Sequence, residues 1–201
     1  MGDRCPRDDA LRRRRRILRG PRRRPRPEAA KRSGPPRPAG ASTLVVSGSA
    51  SRTAHEFAVS AGKRGWKVCR MPELVFGGEG VVDRGIKQWI DATLAALKSD
   101  GRAIIAIDHA VDRTPGTGRR LERAIARVTA EVVKKHPIEQ FLVDGGATAS
   151  ACTNAIGWGQ FETLSELQPG VVRLKPIVAV SGVNCSMVVK PGSYKWPDGL
   201  V

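Results

Sequence analysis

The sequence predicts a three-layer α/β fold: a mostly parallel sheet with helices on both faces and a β-rich C-terminal finish. Three observations predict it. Short apolar runs recur at Leu44–Val46, Ala103–Ile107 and Ile138–Val143, as strands buried on both faces require. Amphipathic helical patterns separate these runs. Two of the strands end in small-residue junctions, Ser47-Gly48-Ser49-Ala50-Ser51 and Asp144-Gly145-Gly146-Ala147-Thr148-Ala149-Ser150.

Taken in order, Leu44–Val46 reads as the first buried strand. Thr53–Arg64 follows as a helix with Ala54, Phe57, Ala58 and Ala61 on one face. Trp66–Met71 alternates polar and apolar residues as a second strand, and Gly77-Gly78-Glu79-Gly80 breaks the chain. Val82–Lys98 places Ile86, Trp89, Ile90, Thr93, Leu94 and Leu97 at helical spacing; Arg119–Lys135 does the same with Leu121, Ile125, Val128 and Val132. Between them, Ala103–Ile107 is too short and too β-branched for a helix, and Asp108–Thr117 is a loop. Ile138–Val143 feeds the glycine pair, and Ala151–Gly157 continues as a helix of small residues. Beyond it, Val171–Leu174, Ile177–Val180 and Ser186–Val189 read as short strands. The pattern is Rossmann-like.

Charge divides the chain in two. Residues 1–42 hold 15 of its 35 basic and 4 of its 19 acidic residues, so most of the net +16 sits there. Rich in arginine and proline and poor in apolar residues, this segment is expected to be a disordered extension, leaving 43–201 as the domain. It reads either as an arginine arm for nucleic acid or an acidic partner, or as an adventitious extension with the composition of translated GC-rich DNA. Cys5, Cys69, Cys152 and Cys185 form no CxxC pair, which makes a reducing cytosol the default. No apolar run approaches the ~18 residues needed to span a bilayer, and the first residues lack the roughly 7–15-residue apolar core expected of a secretory signal.

In open sheets of this kind ligands collect beyond the carboxyl ends of the strands. Here those ends carry Ser47-Gly48-Ser49, Met71-Pro72, Asp108-His109 and Asp144-Gly145-Gly146. Paired glycines before a helix start leave amide donors facing one concavity, a natural seat for phosphate. The sequence has neither a GxxxxGK[ST] loop nor a strict GxGxxG, so a Walker-type NTPase or a standard dinucleotide fold is not indicated. A GxSxG elbow is also missing, which argues against a hydrolase. Asp108 and Asp144, at strand ends, are candidates to contact Mg²⁺ directly or through water. His109 is the histidine on the ligand rim. His55 is expected on a solvated helix face, His136 at a helix end where the dipole favours it, and Trp89 in the core. Asp112, Arg113, Arg119 and Arg120 suit a phosphate clamp or a solvated loop.

From Val46 onward the chain resembles the C-terminal, nucleotide-binding domain of the four-carbon acid sugar kinases. The matching pieces are Val45–Ser51, Gly145–Ala149 with the Ile156-Gly157 ending, Leu167-Gln168-Pro169-Gly170-Val171, and Val189-Lys190-Pro191-Gly192-Ser193-Tyr194. The resemblance implies ATP and Mg²⁺ as ligands, and a kinase that phosphorylates a hydroxyl of a four-carbon sugar acid held by a separate N-terminal domain. No such domain is expected within this sequence, so the chain alone is not expected to be a competent kinase; a homodimer is left open. The nucleotide residues carried over are Ser47, Gly48 and Ser49, then Gly145, Gly146 and Thr148, then Lys190, Gly192 and Ser193. Ala147 stands where many relatives carry an acidic residue, and Lys195-Trp196-Pro197 replaces a glycine-rich continuation. The alternative reading is a non-catalytic binding module with an arginine-rich arm.

Overall fold

The computed structural model describes residues 42–76, 80–108, 115–177, 185–192 and 194–201. Residues 1–41 of the expected 1–42 extension, His109, Asp112, Arg113, Ser193 and most of the Ile177–Val180 strand lie outside them.

The domain begins with β1 (Thr43–Ser47), α1 (Arg52–Lys63), β2 (Lys67–Arg70) and a 3-10 turn (Glu73–Phe76). It continues through α2 (Val81–Asp100), β3 (Arg102–Ala106), α3 (Thr117–Lys135), β4 (Gln140–Asp144) and α4 (Gly146–Ile156). Strands β5 (Phe161–Gln168), β6 (Val171–Pro176) and β7 (Ser186–Lys190) complete it. All seven strands join one sheet in the order β2-β3-β1-β4-β7-β6-β5. The ladders from β2 to β7 are parallel, and β6 pairs antiparallel with both neighbours. The β-rich finish is therefore an extension of the main sheet, with β7 inserted beside β4.

Side-chain alternation along the buried strands builds two cores. Leu44, Val46, Ile105, Phe141 and Val143 pack with α2, α3 and α4; Val45, Ile104 and Leu142 pack with Ala61 of α1 and, at the margin, with Trp196, Leu200 and Val201. Helices thus cover both faces, with α1 sharing its face with the C-terminal segment. The Trp89 indole is buried and donates to the Cys69 carbonyl at 2.7 Å, tying α2 to β2 as a core residue. Burial pushes the Cys152 thiol up to about 11 and Cys185 to about 12, which leaves neither as a nucleophile at neutral pH.

Two elements were not anticipated. The first is the 3-10 turn, over which α2 passes so closely that a Cβ added at Gly85 would stand 2.9 Å from the Val75 nitrogen. The second is β5, whose five central residues, Glu162–Glu166, are exposed, with only Phe161 and Leu167 at its ends reaching the cores. With no fully buried residue it carries no alternating signal, and pairing with β6 makes it a strand.

His136 caps the C-terminus of α3 as expected, but the dipole does not hold it charged. Burial, with Lys98 nearby, lowers its pKa, and its Nε2 lies 3.1 Å from the Ser42 hydroxyl. Between the lowered folded value and the ordinary 6.5 the unfolded chain binds more protons, so stability declines as pH falls through that window. The variant H136Q is expected to flatten this slope in denaturation midpoints measured between pH 5 and 8. An unchanged slope would remove His136 as its cause.

Candidate functional site

Strand register brings the predicted loops to one edge. Ser47 pairs with Ala106 on one side and with Asp144 on the other; Asp144 pairs in turn with Lys190, and Ala106 with Arg70. Five adjacent strands therefore end in a row, Arg70, Ala106, Ser47, Asp144 and Lys190, from which the three expected loops leave side by side.

The first two loops touch. A Cβ added at Gly48 would sit 2.9 Å from the Thr148 methyl carbon and nearer still to its hydroxyl, so only glycine lets β1's exit pass the first turn of α4. The second loop joins the third through the Gly145 amide, which donates to the Lys190 carbonyl at 2.7 Å. Gly145 has φ 97° and caps α4 without a side chain. The first turn of α4 contains no acid, and a Cβ at Gly146 would meet nothing within 4 Å. Its amides and the positive end of its dipole consequently face the rim. The start of α1 differs, because Ser51 accepts from the Ala54 amide at 3.2 Å and Ser49 accepts from the Ser51 amide at 3.1 Å. Of the two strand–helix junctions, that of α4 keeps more of its first-turn donors available. Between them, the buried Ser47 hydroxyl has no hydrogen-bond partner.

Lys190 is held differently from a free phosphate-binding cation. It is 3% exposed, and its Nζ donates to Asp144 Oδ1 at 2.6 Å, the Tyr194 carbonyl at 2.8 Å and the Pro191 carbonyl at 3.1 Å. An ammonium has three donors, so all are taken. Lys190 therefore shapes the third loop and places its charge from beneath, and no N–H is left for a ligand. Asp144 keeps Oδ2, and burial raises its pKa even against Lys190. Gly192 is exposed, with nothing within 4 Å of an added Cβ.

Asp108 does not stand free to hold a metal. Its buried carboxylate takes His55 Nδ1 on Oδ1 at 2.6 Å and Arg70 Nε on Oδ2 at 2.5 Å, and its φ is 46°. His55 is thus exposed, as expected, yet tied to the rim. Among the described residues no group of three or more His, Cys, Asp or Glu could hold a metal.

A cleft of about 320 Å³ opens beside Asp144 and Lys190. One wall is α1, with Thr53, Glu56 and Phe57; the other is the C-terminal segment, with Tyr194 and Trp196. Trp196 tilts against Phe57 at 6.4 Å and lies over Lys190 at 5.4 Å. The departure from the expected glycine-rich ending is what builds this wall.

A family model described as "Nucleotide-binding C-terminal domain" matches residues 44–194. The chain belongs to this family. The resemblance read from the sequence is to this same nucleotide-binding domain, and it holds. Solved structures share the fold. A Bordetella bronchiseptica protein of the domain-of-unknown-function family DUF1537, crystallised with citrate as a domain-swapped dimer, superposes with TM-score 0.63 at 18% identity over 78% of this chain and 38% of its own. A putative tRNA synthase from Salmonella typhimurium gives 0.58 at 16% over 77% and 38%, and a DUF1537 protein from Haemophilus influenzae 0.53 at 17% over 77% and 37%. The nucleotide-binding domain thus spans less than two fifths of the length of each of these. No curated protein matches it. No helix among the described residues is long and apolar enough to cross a membrane.

Proposed function

We propose that this domain holds the phosphates of ATP over the carboxyl ends of β1, β4 and β7. In this reading it is the nucleotide-binding half of a kinase that phosphorylates a hydroxyl of a four-carbon sugar acid. The contact of Gly48 with Thr148, which locks the first loop against an uncapped helix start, carries the reading. The glycines admit phosphate oxygens to backbone distance, and the first-turn amides of α4 donate to them. Thr148, and Ser47 with its unpartnered hydroxyl, add donors. Ser193 extends the third loop in the sequence.

The donor set suits a Mg²⁺ that arrives on the phosphates and takes Asp144 Oδ2 with waters. It does not suit a cage made by protein alone. Such an ion would neutralise phosphate charge, while the chain supplies position and field. Transfer further requires a sugar-acid domain, and activity is expected only when one is supplied.

Thermal unfolding with Mg·ATP and Mg·ADP tests the proposal. At a hundredfold excess over Kd a ligand bound only to the folded state adds about 2.7 kcal/mol, which for a domain of this size raises Tm by roughly 5–10 °C. No shift at millimolar concentration of either nucleotide would end the reading.

A further inference from the structure

Asp108 is the most constrained carboxylate on the rim. Its side chain is 1% exposed, its φ of 46° is left-handed for a residue with a Cβ, and both oxygens are paired. Its two partners are the opposite: the side chains of His55 and Arg70 are 57% and 55% exposed. Each is gripped at its inner nitrogen, Nδ1 of the imidazole and Nε of the guanidinium. The outer nitrogens, Nε2 and the Nη1/Nη2 fork, therefore point outward. That fork is the face through which arginine takes two oxygens of one phosphate or carboxylate. A buried acid thus fixes the direction of two donors without using the atoms that face solvent.

The pair stands on the opposite flank of the first loop from α4. Arg70 ends β2, and two strand spacings, about 10 Å, separate it from Ser47. Asp108 extends β3, the neighbour of β1, and the Ile107 amide donates to the Ser47 carbonyl at 3.3 Å. A group here lies beyond phosphates seated on α4, yet on the same edge.

We propose that Arg70 and His55, aligned by Asp108, form a second oxyanion seat on this rim. The seat receives either the terminal phosphoryl group of the nucleotide or the carboxylate of the phosphoryl acceptor. Its ligand assignment rests on the nucleotide reading above; its geometry does not. Strain at Asp108 agrees with a position fixed for function.

The test is calorimetric titration of the whole chain and of R70A and H55Q with Mg·ADP, Mg·ATP and threonate, with Tm recorded for each protein. Each variant leaves Asp108 one of its two partners, so the fold is expected to hold at a lower Tm. R70A is expected to weaken one ligand by about tenfold or more and to leave ADP unchanged. Loss of ATP against ADP identifies the terminal phosphoryl; loss of threonate alone identifies the carboxylate. H55Q shifts the same ligand in the same direction. If ADP, ATP and threonate bind the variants as they bind the parent and only Tm falls, the cluster merely staples α1 to the sheet and the seat is refuted. If the parent binds no nucleotide, the nucleotide reading fails separately. The seat is then supported by threonate loss in R70A and refuted without it.

Discussion

Replacing Gly48 with alanine is expected to remove most nucleotide affinity and to lower Tm by several degrees. The added methyl would overlap the Thr148 side chain on the first turn of α4, with the Thr148 Cβ itself at 3.1 Å, so turning that side chain does not fully clear it. Overpacking of this kind costs about 1–3 kcal/mol, or roughly 2–4 °C per kcal/mol in a domain of this length. The double variant G48A/T148A takes away the hydroxyl and the γ-methyl that the new atom meets. It is expected to recover most of the lost Tm, while nucleotide binding returns only in part because the Thr148 donor is gone. Thermal melts with and without Mg·ATP separate the two effects. A G48A protein that melts and binds as the parent does would mean that the first and second loops are not locked together.

Replacing Lys190 with methionine is expected to be more damaging than any exposed substitution on the rim. Lys190 and Asp144 are both buried, and removing one partner of such a pair costs about 3–5 kcal/mol because the other charge is left uncompensated. The pH dependence has a defined sign. Burial already raises the Asp144 pKa above its ordinary 3.8, so the folded state binds the proton more tightly than the unfolded chain does. Stability contributed by this group is therefore lost as pH rises from near 3.8 through the raised folded value. Without the ammonium that folded value rises further. The gap between parent and K190M, measured by denaturant unfolding, is expected to widen between pH 4 and pH 8. K190M/D144N is expected to close much of the gap, since an amide can be buried without charge. It should still bind nucleotide poorly, because the Pro191 and Tyr194 carbonyls lose the donor that holds the third loop. Equal stability of K190M and parent at both pH values would show that the pair is not buried as described.

The sequence made the elements far more legible than their neighbours. Continuous apolar runs located β1, β3 and β4, because a strand covered on both faces tolerates little else. Helix periodicity located α2 and α3 to within two residues at each end. Nothing in Ser186–Lys190 said that β7 would slot beside β4, since strand order depends on long-range pairing and leaves no local pattern. In the site, the glycine junctions were visible because left-handed φ and close backbone approach demand them. The grip of Asp108 on His55 and Arg70 was not: His55 reads as a polar helix face and Arg70 as the polar phase of an alternating strand. Lys190 was recognised as a cation, but its three acceptors come from a folded loop that spacing does not reveal.

Gly170 turns the β5–β6 hairpin at φ 80°, and a Cβ added there would stand 3.3 Å from the Tyr194 ring. Gln168 in the same turn donates to the Lys195 carbonyl at 2.7 Å. The outermost ribbon of the sheet is therefore a buttress whose inner corner props the chain that Lys190 grasps. Trimming or rebuilding that ribbon is expected to slacken the third loop from behind, which makes its corner a place to tune the rim from a distance.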